Sequence, residues 1–325
     1  MDFQYLKNFL DFMAEERSPG NAVEVRIGNE SVFKYAAGYS DLETKKELTG
    51  EEYFNIYSCS KITTMTAAMQ LLEKGKFLVT DPLYDYIPEY KTMYVDDGEG
   101  NIREAKSPIT IGNLFSMTAG FTYNFKTDAV EKVRKLTDGK MNTDVFARCK
   151  AEDPLIFDPG EKWRYSVCHD VLAGLISIIE GKPFRQYVKE NIFEPLGMEK
   201  AVYHATDEIK SQMASQYKFV PEGENGELDI VEAQKYGRSN DGTFVNVGKE
   251  VSHVLGEEFD SGGAGITTTV SDYMKLLEAL ANLGMGATGE RILTENTVGY
   301  FLRDEQVVYS GNSKYFDIII IPYST

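Results

Sequence analysis

Cysteine, histidine and tryptophan are scarce in this chain, at 3, 3 and 1 of 325 residues. Cys59, Cys149 and Cys168 are odd in number and lack C-x-x-C spacing, which argues against a disulfide framework and fits a reduced, cytoplasmic chain. His169, His204 and His253 fall at no metal-ligand spacing, so neither a zinc site nor any other cofactor is expected. Cys168 and His169 are neighbours, but adjacent helical side chains diverge by about 100°, and the two read as packing and surface. No apolar run approaches the ~20 residues that a membrane helix needs. Met1 to Lys7 lack the basic region, apolar core and cleavage site of a secretory signal. Positive charge is in short supply: 34 Lys+Arg against 51 Asp+Glu give a net charge of −17. General electrostatics therefore disfavour nucleic acid and anionic membranes as partners. No G-x-x-x-x-G-K-[ST] phosphate loop, internal repeat or low-complexity linker is present.

A chain of this length buries roughly three quarters of its unfolded surface, enough for one large or two closely packed domains. Residues 2–17 carry Phe3, Leu6, Leu10 and Met13 at helical spacing, ended by Ser18-Pro19-Gly20. Ala22–Ile27 and Val32–Gly38 alternate as strands and join at Gly28-Asn29 as a hairpin. Asp81–Tyr90 reads as a short helix trimmed by prolines, 91–107 as polar loop, and Ile111–Met117 as a helix. The stretch 125–150 is charged and moderately helical. Tyr165–Glu180 is a strong helix with Val167, Val171, Leu175 and Ile178 on one face. Residues 205–258 are polar and give no clear element. Ser261–Gly265 makes a tight turn, Ser271-Asp272 cap a helix to about Leu283, and Tyr315–Ile321 is a buried strand. Strands at both ends around a helical middle imply an α/β (α+β) fold. An antiparallel sheet from residues 1–60 and 260–325 is flanked by helices, and 61–259 form an inserted, mainly helical lobe.

The chemistry concentrates at Tyr57-Ser58-Cys59-Ser60-Lys61, which runs straight into the helical segment Ile62–Leu72. Residues three apart on a helix share a face, bringing the Ser58 hydroxyl and Lys61 amine within reach. A lysine in a desolvated pocket gives up its proton more readily and can then take one from serine. The amide at such a helix start stabilises a developing oxyanion. S-x-x-K recurs at Ser31–Lys34 and Ser215–Lys218. The first lies in a strand pattern where positions three apart face opposite sides, and the second has no apolar helix behind it. At Ser58 the helix has a core-facing stripe of Ile62, Met65, Met69 and Leu72, and Gly75 is placed to end it.

A serine–lysine pair needs a second proton handler and an anion-stabilising wall. Tyr165 follows the Pro159-Gly160 turn and heads a helix; a phenol beside a lysine cation can relay protons. Gly262-Gly263-Ala264-Gly265 lets backbone approach a ligand closely, or simply turns tightly into the next helix.

These landmarks resemble the serine β-lactamase and penicillin-binding-protein superfamily, most closely the class C β-lactamase-like esterases (family VIII carboxylesterases). The matching stretches include Gly38-Tyr39-Ser40-Asp41, Ser58–Lys61, Ile109–Phe121, Tyr165-Ser166-Val167, Asp170–Gly174, Phe193–Met198 and Ser261–Gly265 with Asp272-Tyr273, in family order. The resemblance implies Ser58 as nucleophile, Lys61 as its activating partner, Tyr165 as second acid/base, and Gly262, Gly263 and Ala264 as substrate-binding, with the site in a cleft between two lobes. Three departures stand out. Val167 replaces the asparagine of Tyr-x-Asn, which tilts the expectation from β-lactams toward esters. Met117 replaces a histidine. No Lys-Thr-Gly-like box follows Gly265, and Tyr309-Ser310-Gly311 is the nearest stretch. The resemblance also calls for further strands and a closing helix, and a sheet edge left open in their absence can pair with a second copy.

The leading expectation is a serine hydrolase forming an acyl-enzyme with small esters or amides. A D-amino-acid peptidase or β-lactamase is the alternative within enzymes, and a catalytically silent binding or regulatory scaffold the alternative outside them.

Overall fold

The spacing of Leu6, Leu10 and Met13 forms α1 (Gln4–Glu16), which lies against the antiparallel pair β1 (Gly20–Ile27) and β2 (Glu30–Asp41). Both strands are longer than their alternation suggests, pairing from Gly20↔Gly38 to Ile27↔Glu30 with an irregularity at Val25/Arg26. The short β3 (Lys46–Glu47) extends this sheet from β2. The structure, a computed structural model, describes residues 2–28, 30–221 and 242–301. Asn29 of the hairpin turn, Tyr309-Ser310-Gly311 and the expected strand Tyr315–Ile321 lie outside them.

The next strand, β4 (Phe54–Asn55), pairs antiparallel with Thr267–Thr268, more than 200 residues on in the chain. It delivers the chain onto α2 (Ser60–Glu73). The Ile62, Met65, Met69, Leu72 stripe is only part of what this helix buries. Met69 is fully inside, whereas Ile62, Met65 and Leu72 are half-buried, and Thr63, Thr64, Ala67, Ala68, Gln70 and Leu71 are buried too. A helix buried on nearly all sides must satisfy its polar groups internally. Gln70 does so by donating to Asn191 O and Ile292 O at 2.9 and 3.0 Å, and by accepting from the Tyr187 hydroxyl.

Residues 91–107, read as loop, contain a small hairpin of β5 (Tyr94–Asp96) and β6 (Ile102–Glu104). Three-residue strands with exposed polar faces leave no alternation to detect. Next come α3 (Ile111–Phe115), α4 (Asp128–Leu136) and α5 (Thr143–Cys149). A capping box starts α3, in which Thr110 and Asn113 each take the other's backbone N–H.

The helix expected from Tyr165 begins three residues later, as α6 (Cys168–Glu180). Arg164 N–H donates to Met117 O at 3.1 Å, holding the approach to α6 out along the exit of α3. Gly181 ends α6 in the left-handed conformation. Cys168 and His169, read as partly surface, are both buried in its first turn. In the 205–258 region β7 (Gln216–Pro221) and β8 (Gly242–Gly248) pair antiparallel. The later helix Val270–Ala281 is capped by Thr269, whose side chain accepts from Asp272 N–H, rather than by Ser271 or Asp272. Among the described residues no helix is long and apolar enough to cross a membrane.

The core lies where α2, α5 and α6 meet, with Leu71, Phe146, Val171, Leu172 and Leu175 fully buried. The approach of α5 to α6 depends on Gly174: a Cβ there would sit 2.3 Å from Ala147 Cβ and 2.8 Å from Thr143 O. Gly174→Ala is therefore expected to destabilise the fold by about 1–3 kcal/mol through overpacking, read as a lowered urea midpoint. An unchanged midpoint would show that the two helices separate freely.

Candidate active site

The chain enters the site along β4, where Ile56 N–H donates to Ile266 O at 3.0 Å. Tyr57 then takes a positive φ of 41°, a conformation that a bulky side chain rarely adopts. Its hydroxyl bonds the Gln216 side chain, and the chain turns into a 3₁₀ turn (Tyr57–Cys59) before α2 begins. Ser58 therefore stands just ahead of the α-helix rather than within it.

Three side chains in the first turn and a half of α2 grip one segment. Ser60 Oγ accepts from Ile266 N–H at 3.0 Å, Lys61 Nζ donates to Gly263 O at 2.6 Å, and Thr64 Oγ1 donates to Gly262 O at 2.7 Å. All three side chains are buried. Lys61 is thereby held with its Nζ 3.3 Å from Ser58 Oγ. From the other side the Tyr165 hydroxyl lies 2.5 Å from the same Oγ. The three residues singled out for chemistry thus converge on one oxygen, with Lys61 buried, Ser58 half-buried and Tyr165 open to solvent.

The glycine turn lies against α2 and α6. Ser261, Gly262, Gly263 and Ala264 are buried, and the Gly262 and Gly263 carbonyls face α2. A Cβ on Gly262 would lie 2.2 Å from His169 O. Its lack of a side chain serves packing against α6, and both carbonyls are taken up by side chains of α2.

Several contributors carry no local sequence signal. Tyr123 stacks on Tyr165 with ring centroids 5.4 Å apart, and Lys61 Nζ lies 4.7 Å from the Tyr165 ring centre and 5.8 Å from that of Tyr123. Such faces stabilise a cation where water is scarce. His253 meets Tyr57, Tyr123 and Phe125 edge-on at 5.8, 5.5 and 6.1 Å, and Trp163 lies beside Tyr165. Burial lowers the His253 imidazole's proton affinity; Lys61 adds to this and Asp170 opposes it. Burial likewise holds the Tyr123 phenol in its neutral form. Asp170, fully buried at the start of α6, accepts from Ser261 Oγ at 2.7 Å and Gly263 N–H at 3.2 Å. Aromatic rings brought from residues 57, 123, 125, 163 and 253 share no helical or strand period, so only the fold collects them.

Comparison with known proteins puts this fold in the serine β-lactamase and penicillin-binding-protein superfamily. The chain belongs to the Beta-lactamase family, matched over residues 7–305. It is similar to protein Rv1367c of Mycobacterium tuberculosis, 27% identical over 84% of this chain, and spans 65% of that relative's length. It is also similar to esterase EstB of Burkholderia gladioli, at 26% identity over 84% of this chain and 68% of the relative. Among solved structures, EstCE1, a hydrolase with promiscuous acyltransferase activity, matches with a TM-score of 0.69 at 24% identity, covering 91% of this chain and 75% of that one. At that identity the likeness is one of fold.

His169 gives the site's surroundings a pH signature. Burial, reinforced by nearby Lys61, pushes its imidazole down to about 3. An unfolded histidine takes up a proton near pH 6.5, so stability falls as pH drops from there toward the folded value. The slope from this group is up to ~1.4 kcal/mol per pH unit. Urea unfolding between pH 7 and pH 5 should show the wild type losing stability faster than His169→Leu, by a difference that grows toward about one proton near pH 5. Parallel curves would remove the buried neutral imidazole from the account.

Proposed function

We propose that this chain is a serine hydrolase that forms and hydrolyses an acyl-enzyme on Ser58, acting on small esters or amides with apolar acyl groups. The observation that carries the reading is the double contact at Ser58 Oγ, 3.3 Å from Lys61 Nζ and 2.5 Å from the Tyr165 hydroxyl. Lys61 in its neutral form takes the Ser58 proton as Oγ bonds the carbonyl carbon. The bond to the leaving group then breaks, and the proton passes to that group through Tyr165. Water attacks the acyl-enzyme by the reverse route and releases the acid. The two-lobed division, residues 1–60 with 260–325 against 61–259, accompanies this reading, with the site in the cleft between them.

The aromatic surface of Tyr57, Tyr123, Phe125 and Trp163 supports an apolar acyl group over one bearing a carboxylate. Val167 in place of asparagine points the same way, because no amide there is available to hold a substrate amide. A second reading, acyl transfer to an alcohol, is favoured by the same surface. It would hold an apolar acceptor where water otherwise attacks, and EstCE1 is described as a hydrolase with promiscuous acyltransferase activity.

The test is intact-protein mass after incubation with p-nitrophenyl butyrate, a fluorophosphonate and a penicillin in parallel. An adduct on Ser58, absent in Ser58→Ala, is expected from the first two and formed fastest by the ester. Tyr165→Phe should lower the ester turnover roughly 10²–10⁴-fold while leaving the fold intact. Faster acylation by the penicillin would favour a β-lactamase or peptidase. A folded wild type that no reagent labels would leave the silent scaffold as the surviving account.

A further inference from the structure

We propose that Asp170 is a positioning residue for Lys61: through Gly263 its buried carboxylate holds the ammonium against Ser58 and sets the pH range over which the pair works. The proposal rests on the reading of Ser58 as nucleophile and Lys61 as its base.

The connection runs through a single residue. Gly263 N–H donates to Asp170 Oδ1 at 3.2 Å, while Gly263 O accepts from Lys61 Nζ at 2.6 Å. Ser261 braces the arrangement by donating its hydroxyl to the same Oδ1 at 2.7 Å and accepting Ala264 N–H at 3.1 Å. A Cβ built on Gly263 would lie 3.0 Å from Asp170 Oδ2 and 3.4 Å from Lys61 Nζ. The carboxylate and the ammonium therefore crowd the same face of that glycine, where a methyl would press against both.

Scaffolding alone does not account for an acid here. The turn uses only Oδ1, and an amide oxygen would serve as well. Oδ2 is buried with no hydrogen-bond partner among the described residues, a costly state for a carboxylate unless a nearby cation offsets it. The titratable groups facing Asp170 are Lys61 from α2, His253 from the segment after β8, Tyr123, Tyr203, and its own neighbours Cys168 and His169. Burial keeps both histidines, both tyrosines and the thiol neutral, which leaves Lys61 as the cation among these described groups that answers the charge. Burial also raises Asp170's own carboxyl, opposed by Ser261, Lys61, the Gly263 amide and His253. A direct ion pair would draw Nζ away from Ser58 and retain its proton. Acting across one glycine, the carboxylate steadies the ammonium without competing for its contact with Oγ.

Asp170→Asn removes the charge and keeps an oxygen for Ser261 and Gly263. The acid limb of kcat/KM for p-nitrophenyl butyrate should move to lower pH by about one unit, because a lysine without its counter-charge loses its proton more readily. The plateau should fall roughly tenfold or more as Nζ loses its placement. Ser261→Ala removes a bond but no charge, and should lower the plateau with the limb in place. The titration of the Lys61 ε-methylene, followed by ¹³C NMR with Lys61→Arg for assignment, reads the same shift without turnover. A wild type that does not acylate Ser58 would end the hydrolase reading, while the NMR titration still decides the electrostatic one. If Asp170→Asn fails to fold, Gly263→Ala, whose methyl wedges between the two groups, should move the limb in the same direction. A limb and a resonance that stay in place in whichever variant folds would reduce Asp170 to scaffold and overturn the proposal.

Discussion

The site depends on how the start of α2 is seated on residues 261–266. Ser60, Lys61 and Thr64 reach across to Ile266 N–H, Gly263 O and Gly262 O, and every atom involved is buried. A tight turn leaves backbone groups without partners in its own segment, and each buried group left unsatisfied costs about 1–3 kcal/mol. The helix supplies those partners, and in doing so fixes Lys61 beside Ser58. The Ser58–Lys61 geometry is a consequence of that seating more than of S-x-x-K spacing. The other two copies make this plain. Lys34 turns to Ser271 and Glu24, while Ser215 turns to Asp41. Among the described residues, identical spacing without the buried seat gives no serine–lysine contact of the Ser58 kind.

A second constraint acts from the preceding residue. β4 is tied to Thr267–Thr268, and α2 is tied to the turn just before it, so the chain between them must reverse within a few residues. Tyr57 absorbs the reversal at a φ of 41°. Its hydroxyl is held by Gln216 and its ring meets His253, contacts that over-determine a conformation its side chain would otherwise avoid. The outcome is a serine set outside the regular helix, where its Oγ meets Tyr165 on one side and Lys61 on the other.

The helix start and the Ser58–Lys61 pairing were legible because their signals are local. A serine and lysine three apart, an apolar helix behind them, and a glycine at the end can be read without knowing the fold. Tyr165 was legible as a landmark after Pro159-Gly160, although not as a residue standing free of its helix, since Met117 O sets that start from about fifty residues away. The glycine turn was visible as a turn, but its sidedness was not, because what it faces is settled by α2 and by His169 O. The aromatic wall and His253 could not be read at all. Their rings come from segments with no shared period, and a polar region such as 242–258 offers no apolar pattern to weigh.

The scarcity of cations in this acidic chain sharpens the role of Lys61. A buried ammonium in a low-dielectric site is unfavourable unless its hydration is replaced by fixed dipoles and charges. Here the replacements are a carbonyl at 2.6 Å, the face of Tyr165 at 4.7 Å and the hydroxyl of Ser58 at 3.3 Å, with Asp170 one glycine beyond. Each partner is individually weak or indirect, and none is a carboxylate in contact. Such a cation is held firmly in place. The four residues that create the arrangement at Lys61, namely Ser58, Tyr165, Asp170 and Gly263, are brought together by the packing of α2 against α6.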